Sequence, residues 1–299
     1  MATLADRVVV VTGAGRGMGR EHALLCAREG ARVVVNDLGC AADGTGADPS
    51  LAARVVEEIT RAGGQAVADH EDVADAGGAQ RLIDRTIAAF GAIDVLVNNA
   101  GVLRDKMFVN TSEDDFDAVM RGHVKAFFGP TQAAARYWRA RAKAGTAVDC
   151  SVISMSSTSG LIGQVGQSSY GAAKAAIAAL TVILADELGR YGVRVNALTP
   201  VARTRMTENV PGIADLVKAP DSPDDFDVYH PGNVSPFVAW LARADCAVSG
   251  RVFYVKGGQI GLYEGWHHEP LVTSPARWTV ADLGDALNRS RLAGESAAV

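Results

Sequence analysis

Short runs of apolar, β-branched residues alternate along this chain with longer alanine-rich segments whose apolar positions recur every third or fourth residue. Unbroken apolar runs suit strands buried on both faces, and helical periodicity between them marks the crossovers of repeated βαβ units. Strands are expected over Arg7–Thr12, Arg32–Asp37, Gln65–Asp69, Val95–Asn98, Cys150–Ser154, Arg194–Leu198 and Val252–Val255. Helices are expected over Met18–Glu29, Leu51–Ala62, Ala76–Phe90, Glu113–Ala144, Tyr170–Tyr191 and Pro231–Ala242. The fold class that follows is α/β: about seven strands in one doubly wound parallel sheet with helices on both faces. Within Glu113–Ala144, Gly129-Pro130 predicts a break, because an interior proline removes a hydrogen bond and crowds the preceding turn.

Three stretches lack either periodicity. Gly39–Pro49 is rich in Gly, Ala and Asp, and Arg203–His230 combines prolines with an acidic cluster at Asp221–Asp227, the composition of a lid or solvated turn region. A tail follows Lys256-Gly257-Gly258, giving an expected division into a single domain over 1–260 and an extension over 261–299. Trp266 and Trp278 in that extension are large apolar groups expected to pack on the domain or on a partner subunit.

Composition narrows the function classes. The chain has 299 residues, 48% of them hydrophobic, enough for a sizeable core. A net charge of −5 gives no basic footprint for nucleic acid. The apolar runs Val8–Val11 and Ala175–Ala185 read as too short or too interrupted to span a bilayer, and the first residues carry no signal-peptide pattern, so a cytoplasmic protein without membrane contact is expected. Cys26, Cys40, Cys150 and Cys246 are scattered, which predicts core or loop residues and neither a disulfide framework nor a metal site. His267-His268 has no carboxylate at ligand spacing and is not expected to bind metal.

The first strand runs Val8–Thr12 into Gly13-Ala14-Gly15-Arg16-Gly17-Met18-Gly19 and then a helix. A glycine-rich turn in that context lets backbone approach a pyrophosphate, with the helix N-terminus supplying N–H donors. Asp37 lies 18 positions after Gly19, where a carboxylate accepts hydrogen bonds from ribose hydroxyls and repels a 2′-phosphate. NAD is therefore expected over NADP, although Arg16 inside the loop argues the other way. Farther on, Tyr170 and Lys174 stand one helical turn apart on one face. A buried lysine can favour the phenolate, yet bringing a tyrosine from about 10 to near 7 needs a second cation close by.

Thr12–Gly19, Asn98-Asn99-Ala100-Gly101, Ser157 placed 13 residues before Tyr170, and Tyr170-x-x-x-Lys174 resemble, in order and spacing, the short-chain dehydrogenase/reductase family over residues 1 to about 260. Within it, Asn36–Gly39, Val102–Asp105 and Arg205–Thr207 look like the (3R)-hydroxyacyl-CoA dehydrogenase part of peroxisomal multifunctional enzyme type 2 and its stand-alone bacterial relatives. The resemblance implies a Rossmann-type fold and four site roles. Tyr170 would exchange the hydroxyl proton, Ser157 would bond the substrate oxygen, and Lys174 would hold the nicotinamide ribose and lower the Tyr170 pKa. Leu38 with Asp37, Asp72-Val73 and Asn99-Ala100-Gly101 would line the cofactor cleft. The neighbouring Ser156 is set aside by the spacing. The family also implies a homodimer or homotetramer built on its fourth and fifth helices.

Two departures stand out. His123 occupies the position of the family's relay asparagine, either as a titrating relay member or as a satisfied core histidine. Pro200-Val201 replaces the usual Pro-Gly near the nicotinamide. On the substrate side, Leu161, Ile162, Val165, Met206 and Val210 are candidates for a hydrophobic channel or for ordinary packing. The run Arg136, Arg139, Arg141 and Lys143 could meet CoA phosphates or form a solvated helix face. The expected activity is NAD-dependent oxidation of a secondary alcohol, foremost a 3-hydroxyacyl-CoA, with a steroid side-chain thioester among the candidates. Alternatives are a hydroxysteroid dehydrogenase, a 3-oxoacyl thioester reductase, and a silent NAD-binding module.

Overall fold

The computed structural model describes residues 3–204, 215–222, 224–265 and 267–290. Strands β1 (Val8–Thr12), β2 (Arg32–Asn36), β3 (Gln65–Asp69), β4 (Val95–Asn98), β5 (Cys150–Met155), β6 (Val193–Val201), β7 (Arg251–Lys256) and β8 (Gln259–Tyr263) form one sheet. Their order is β3-β2-β1-β4-β5-β6-β7-β8, parallel except for β8, which pairs antiparallel with β7. Strand order reverses between β1 and β4, which pair directly at Val9↔Val95, and open parallel sheets bind ligands beyond the carboxyl ends of strands at such a reversal.

Alternation along the strands sorts the core. Val9, Val11, Val33 and Val35 face one layer, while Val10 and Val34 face the other. The first layer holds α1 (Gly17–Arg28), α2 (Ser50–Arg61) and α8 (Ser235–Leu241), through Cys26, Ile59 and Leu241 among others. Opposite lie α3 (Ala76–Phe90), α5 (Ala126–Lys143) and α7 (Ser168–Gly189), packed through Leu82, Trp138 and Ile177. Trp138 is fully buried and its Nε1 donates to the Ile93 carbonyl at 2.7 Å; truncation to Ala would cost about 3–5 kcal/mol. The four cysteines form no disulfide, and burial pushes Cys26 and Cys150 up to about 12.

The sheet has eight strands where about seven are expected, and the first compact unit runs to Tyr263, the end of β8. The expected fourth helix breaks at Arg121–Lys125, a π-helical turn between α4 (Glu113–Met120) and α5, and Pro130 lies inside α5. A proline ring crowds the carbonyl four residues earlier, here that of Ala126, where the wide turn ends and the ladder is already loosened. The helix α7 is long and apolar enough to cross a membrane by length and composition. Its buried Ile177, Ala185 and Leu188 instead pack against the sheet as one layer of the sandwich. In the second unit, Trp278 lines a groove with Val272 and Ala286 beside helix α9 (Val280–Asn288), whose N-cap Thr279 accepts from the Asp282 amide at 3.1 Å. Trp266 lies outside the described residues.

Candidate active site

Beyond Thr12 the chain turns into α1 through Gly13–Arg16. A Cβ on Gly19 would come within 2.2 Å of the Gly13 carbonyl oxygen, so only glycine lets the helix fold back on the turn. Gly17 sits at φ +55° with open space along its Cβ direction, which keeps backbone N–H groups approachable. Arg16, at the N-cap, gives no side-chain hydrogen bond to the first turn, leaving those donors and the positive helix end to the adjoining cavity. Its guanidinium donates to the Cys40 carbonyl. Asn99 clamps the turn to β4: its Nδ2 donates to the Thr12 and Gly13 carbonyls, both at 3.0 Å. Thr12 Oγ1 accepts from the Asn99 and Ala100 amides at 3.1 and 3.2 Å.

Asp37 closes the far end. Its carboxylate accepts from the Gly15 amide at 2.7 Å and the Gly39 amide at 2.6 Å, one bond per oxygen, so each oxygen keeps a further lone pair for a hydroxyl donor. Gly13, Arg16, Gly17, Met18, Asp37 and Leu38 line a cavity of about 300 Å³ together with Asn99, Ala100 and Gly101. Uncapped N–H donors at one end and a carboxylate at the other fit the pyrophosphate and ribose of a dinucleotide. Asp72 and Val73 are not on this wall. The Asp72 carboxylate accepts from Arg121 at 2.8 Å and from the Ala74 amide at 2.9 Å, while Val73 is buried in the core.

The second cavity, about 180 Å³, adjoins the first along Met18, Asn99, Gly101 and Thr204. At the carboxyl end of β5, Ser157 caps the short helix α6 (Thr158–Leu161), its Oγ accepting from the Ser159 amide at 3.2 Å. Ser156 is committed elsewhere, donating to the Lys174 carbonyl at 2.8 Å. Tyr170 and Lys174 reach the same cavity from the first turns of α7. Lys174 Nζ is buried, donates to the Met155 carbonyl at 2.6 Å and stands 5.4 Å from the Tyr170 ring centre.

Burial holds Lys174 down to about 7, because desolvation disfavours its ammonium. Burial pushes Tyr170 up to about 12; a hydrogen bond from Ser157 opposes the rise and the Asp105 charge adds to it. His123 is buried in the wide turn, its Nε2 donating to the Val102 carbonyl at 2.7 Å and its ring edge meeting Tyr170 at 5.2 Å between centroids. Nδ1 has no hydrogen-bond partner among the described residues. Burial, reinforced by the Lys174 charge, holds His123 well below the usual imidazole range, which favours the neutral ring.

Met155, Gln164, Gln167, Pro200 and Thr204 also line the second cavity, Pro200 as part of the Pro200-Val201 departure. The carboxyl-end rule points to Thr204, just past β6. The Pro200-Val201 departure is absorbed as strand, pairing with Val255 and Lys256. Leu161 packs on the core, but Ile162 and Val165 are exposed, and Met206 and Val210 lie outside the described residues. None of Arg136, Arg139, Arg141 and Lys143 lines either cavity; Arg136 and Arg139 border a separate groove between α5 and α7.

Residues 7–212 match the short chain dehydrogenase family. A crystal structure of a short chain dehydrogenase from Mycobacterium avium superposes with a TM-score of 0.84 at 51% identity, covering 97% of each chain. The hydroxyacyl-CoA dehydrogenase ChsB1 of Mycobacterium tuberculosis is 42% identical over 89% of this chain and 82% of its own length. The peroxisomal multifunctional enzyme type 2 of Drosophila melanogaster is 43% identical over 82% of this chain, which spans 38% of that longer protein. A sheet whose strand reversal opens onto a glycine cradle, continuous with a buried Tyr170 and Lys174, thus belongs with its sequence relatives: the chain is a member of the short-chain dehydrogenase family, oxidoreductases that use a nicotinamide cofactor.

Proposed function

We propose that this protein is an NAD-dependent dehydrogenase that oxidises the secondary alcohol of a 3-hydroxyacyl-CoA to the ketone. The observation that carries the reading is the continuity of the two cavities, which brings a dinucleotide cradle to the edge of the Ser157–Tyr170–Lys174 cluster. Asp37 supports NAD over NADP, since a 2′-phosphate beside its carboxylate meets like charge. The substrate class is supported by the names of the relatives, a hydroxyacyl-CoA dehydrogenase and the multifunctional enzymes.

When bound, the nicotinamide supplies a hydride acceptor and a positive ring charge. Ser157 donates to the substrate oxygen and holds the carbinol in place. Tyr170, as phenolate, takes the hydroxyl proton while the hydride leaves carbon. Its own surroundings hold it near 12, so the phenolate has to be stabilised by positive charge brought beside it, and Lys174, protonated against its burial, adds a second cation. His123, neutral, packs the tyrosine ring in position.

A homodimer or homotetramer is part of the proposal. Phe128 and Ile183, 48% and 51% exposed, stand on the outer faces of α5 and α7, where burying apolar area favours pairing.

The test follows NADH absorbance with 3-hydroxyacyl-CoA thioesters of short, long and steroid side-chain acyl groups, with NAD or NADP. NAD-linked oxidation that falls by at least about 10²-fold in Tyr170→Phe is expected. Turnover of free steroid alcohols with none of the thioesters would overturn the substrate class; a preference for NADP would overturn the cofactor.

A further inference from the structure

The loop after β4 and the segment between α6 and α7 meet along the rim of the second cavity. The Lys106 amide donates to the Gly166 carbonyl at 3.0 Å, and Lys106 pairs with Gln167 in an isolated parallel bridge. This contact lines up the side chains of Asp105 and Gln167. Gln167 Nε2 donates to Asp105 Oδ2 at 2.6 Å. The other end of the same amide, Oε1, accepts from Ser159 Oγ at 2.6 Å. Ser159 Oγ in turn accepts from Ser157 Oγ at 3.3 Å. Three hydrogen bonds therefore join Asp105 to the hydroxyl beside Tyr170.

The chain has a direction. An ionised carboxylate only accepts, so Asp105 draws the Gln167 NH2 toward itself and turns the amide oxygen to Ser159. Ser159 must then donate along the chain and present a lone pair to Ser157. Gln164 Oε1, 3.1 Å from Ser159 Oγ, is a second acceptor for the same proton and leaves that direction unchanged. The Ser157 hydroxyl, shared at rest between Ser159 at 3.3 Å and the Tyr170 oxygen, is thus weakly held, and a better acceptor such as a substrate oxygen displaces either at little cost.

Asp105 is held by its neighbours in sequence. Lys106 Nζ lies 2.5 Å and Arg104 3.6 Å from Asp115, which anchors both flanks to α4 and leaves Asp105 without an ion pair among the described residues. Partial burial raises its carboxyl above the ordinary range, with Gln167 opposing. The groups facing Tyr170 are Ser157 at the start of α6, Lys174 on its own helix, His123 from the wide turn and Asp105 from the β4 loop.

We propose that Asp105 and Gln167 are positioning residues for the reaction, fixing the direction of the Ser157 hydroxyl through Ser159, and that Asp105 sets the charge against which Tyr170 ionises. The inference rests on the dehydrogenase reading for its kinetic arm and on NAD binding for its ionisation arm. Full-length wild type, Asp105→Asn, Gln167→Leu and the double variant are assayed with NAD and 3-hydroxybutanoyl-CoA across pH. Tyr170 ionisation is followed separately in the NAD-saturated proteins by NMR of isotopically labelled tyrosine, assigned with Tyr170→Phe. Plateau kcat should fall about 3–10-fold in each single variant with KM nearly unchanged, and the double should be no slower than the singles, because both act through one chain. The Tyr170 midpoint should drop by about half a unit to one unit in Asp105→Asn and stay put in Gln167→Leu, which keeps the charge. Independent, multiplying losses in the double variant, or one midpoint shared by wild type and both single variants, would overturn the inference. If the thioester gives no turnover with wild type, the proposed substrate fails, and the NMR midpoints still decide for or against Asp105.

Discussion

Lys174 Nζ stands 5.4 Å from the Tyr170 ring centre, fixed there by the Met155 carbonyl 2.6 Å away. One ammonium, 4% exposed, is thereby kept where burial lowers its pKa from 10.5 to about 7. The fold carries this group at a cost that the proposed chemistry requires.

The cost has a pH window. Below about 7 the ammonium is charged in both states and the folded protein bears the full desolvation penalty; between 7 and 10.5 the unfolded chain binds the extra proton, so stability rises with pH. Lys174→Met should be more stable than wild type at pH 6 by on the order of 2 kcal/mol, with the gap closing by pH 10. Urea denaturation at the two pH values measures it. The same variant should lose dehydrogenase activity by about 10²-fold or more.

Asp37 joins the glycine turn to the loop after β2 through Gly15 and Gly39. Asp37→Asn keeps the shape and removes the charge that repels a 2′-phosphate, with Arg16 on the same wall. The ratio of kcat/KM for NAD over NADP should fall about 10–100-fold. An unchanged ratio would assign cofactor choice to other residues.

Buried parallel strands were legible because residues such as Val8–Val11 need no polar alternation when both faces are covered. The edge strand β8 was not: Gln259-Ile260-Gly261-Leu262-Tyr263 is half exposed and carries a glycine, so it lacks that signature. Its signal was the two-residue Gly257-Gly258 turn after β7, a hairpin marker. Ser157, Tyr170 and Lys174 were found by spacing, and they do share one cavity. Their ionisation could not be read that way, because burial, which spacing does not report, dominates both Tyr170 and Lys174. The wide turn at Arg121–Lys125 escaped for a related reason: its register depends on His123 reaching Val102 across the fold.

His123 tests whether a histidine at the relay position titrates. Burial keeps its ring neutral, and Nε2 is already committed to the Val102 carbonyl. His123→Asn should therefore leave the pH profile of kcat unshifted, while the lost edge contact with Tyr170 lowers kcat by up to about 10-fold. A vanished acidic limb in the variant would instead make His123 a proton carrier.

His22 should report its burial through acid stability. It lies fully buried on α1, where Nδ1 meets Ser235 Oγ at the start of α8, 2.8 Å away, and Nε2 has no hydrogen-bond partner among the described residues. Burial lowers its pKa from 6.5 to about 3, so as pH falls below 6.5 the unfolded chain takes up the proton before the folded protein does. Stability contributed by the neutral ring is complete above 6.5 and drains away toward 3. At pH 7, His22→Gln should be destabilised by about 1–3 kcal/mol, from the lost packing and an altered bond to Ser235. At pH 4 wild type should have lost about 2–3 kcal/mol through this residue alone, a loss the variant cannot suffer, so the gap between them should shrink or invert. His123, shifted in the same direction, is present in both proteins and cancels from the comparison. Urea unfolding at the two pH values gives the gap directly; an equal gap at both would mean that folded His22 accepts its proton as readily as the unfolded chain.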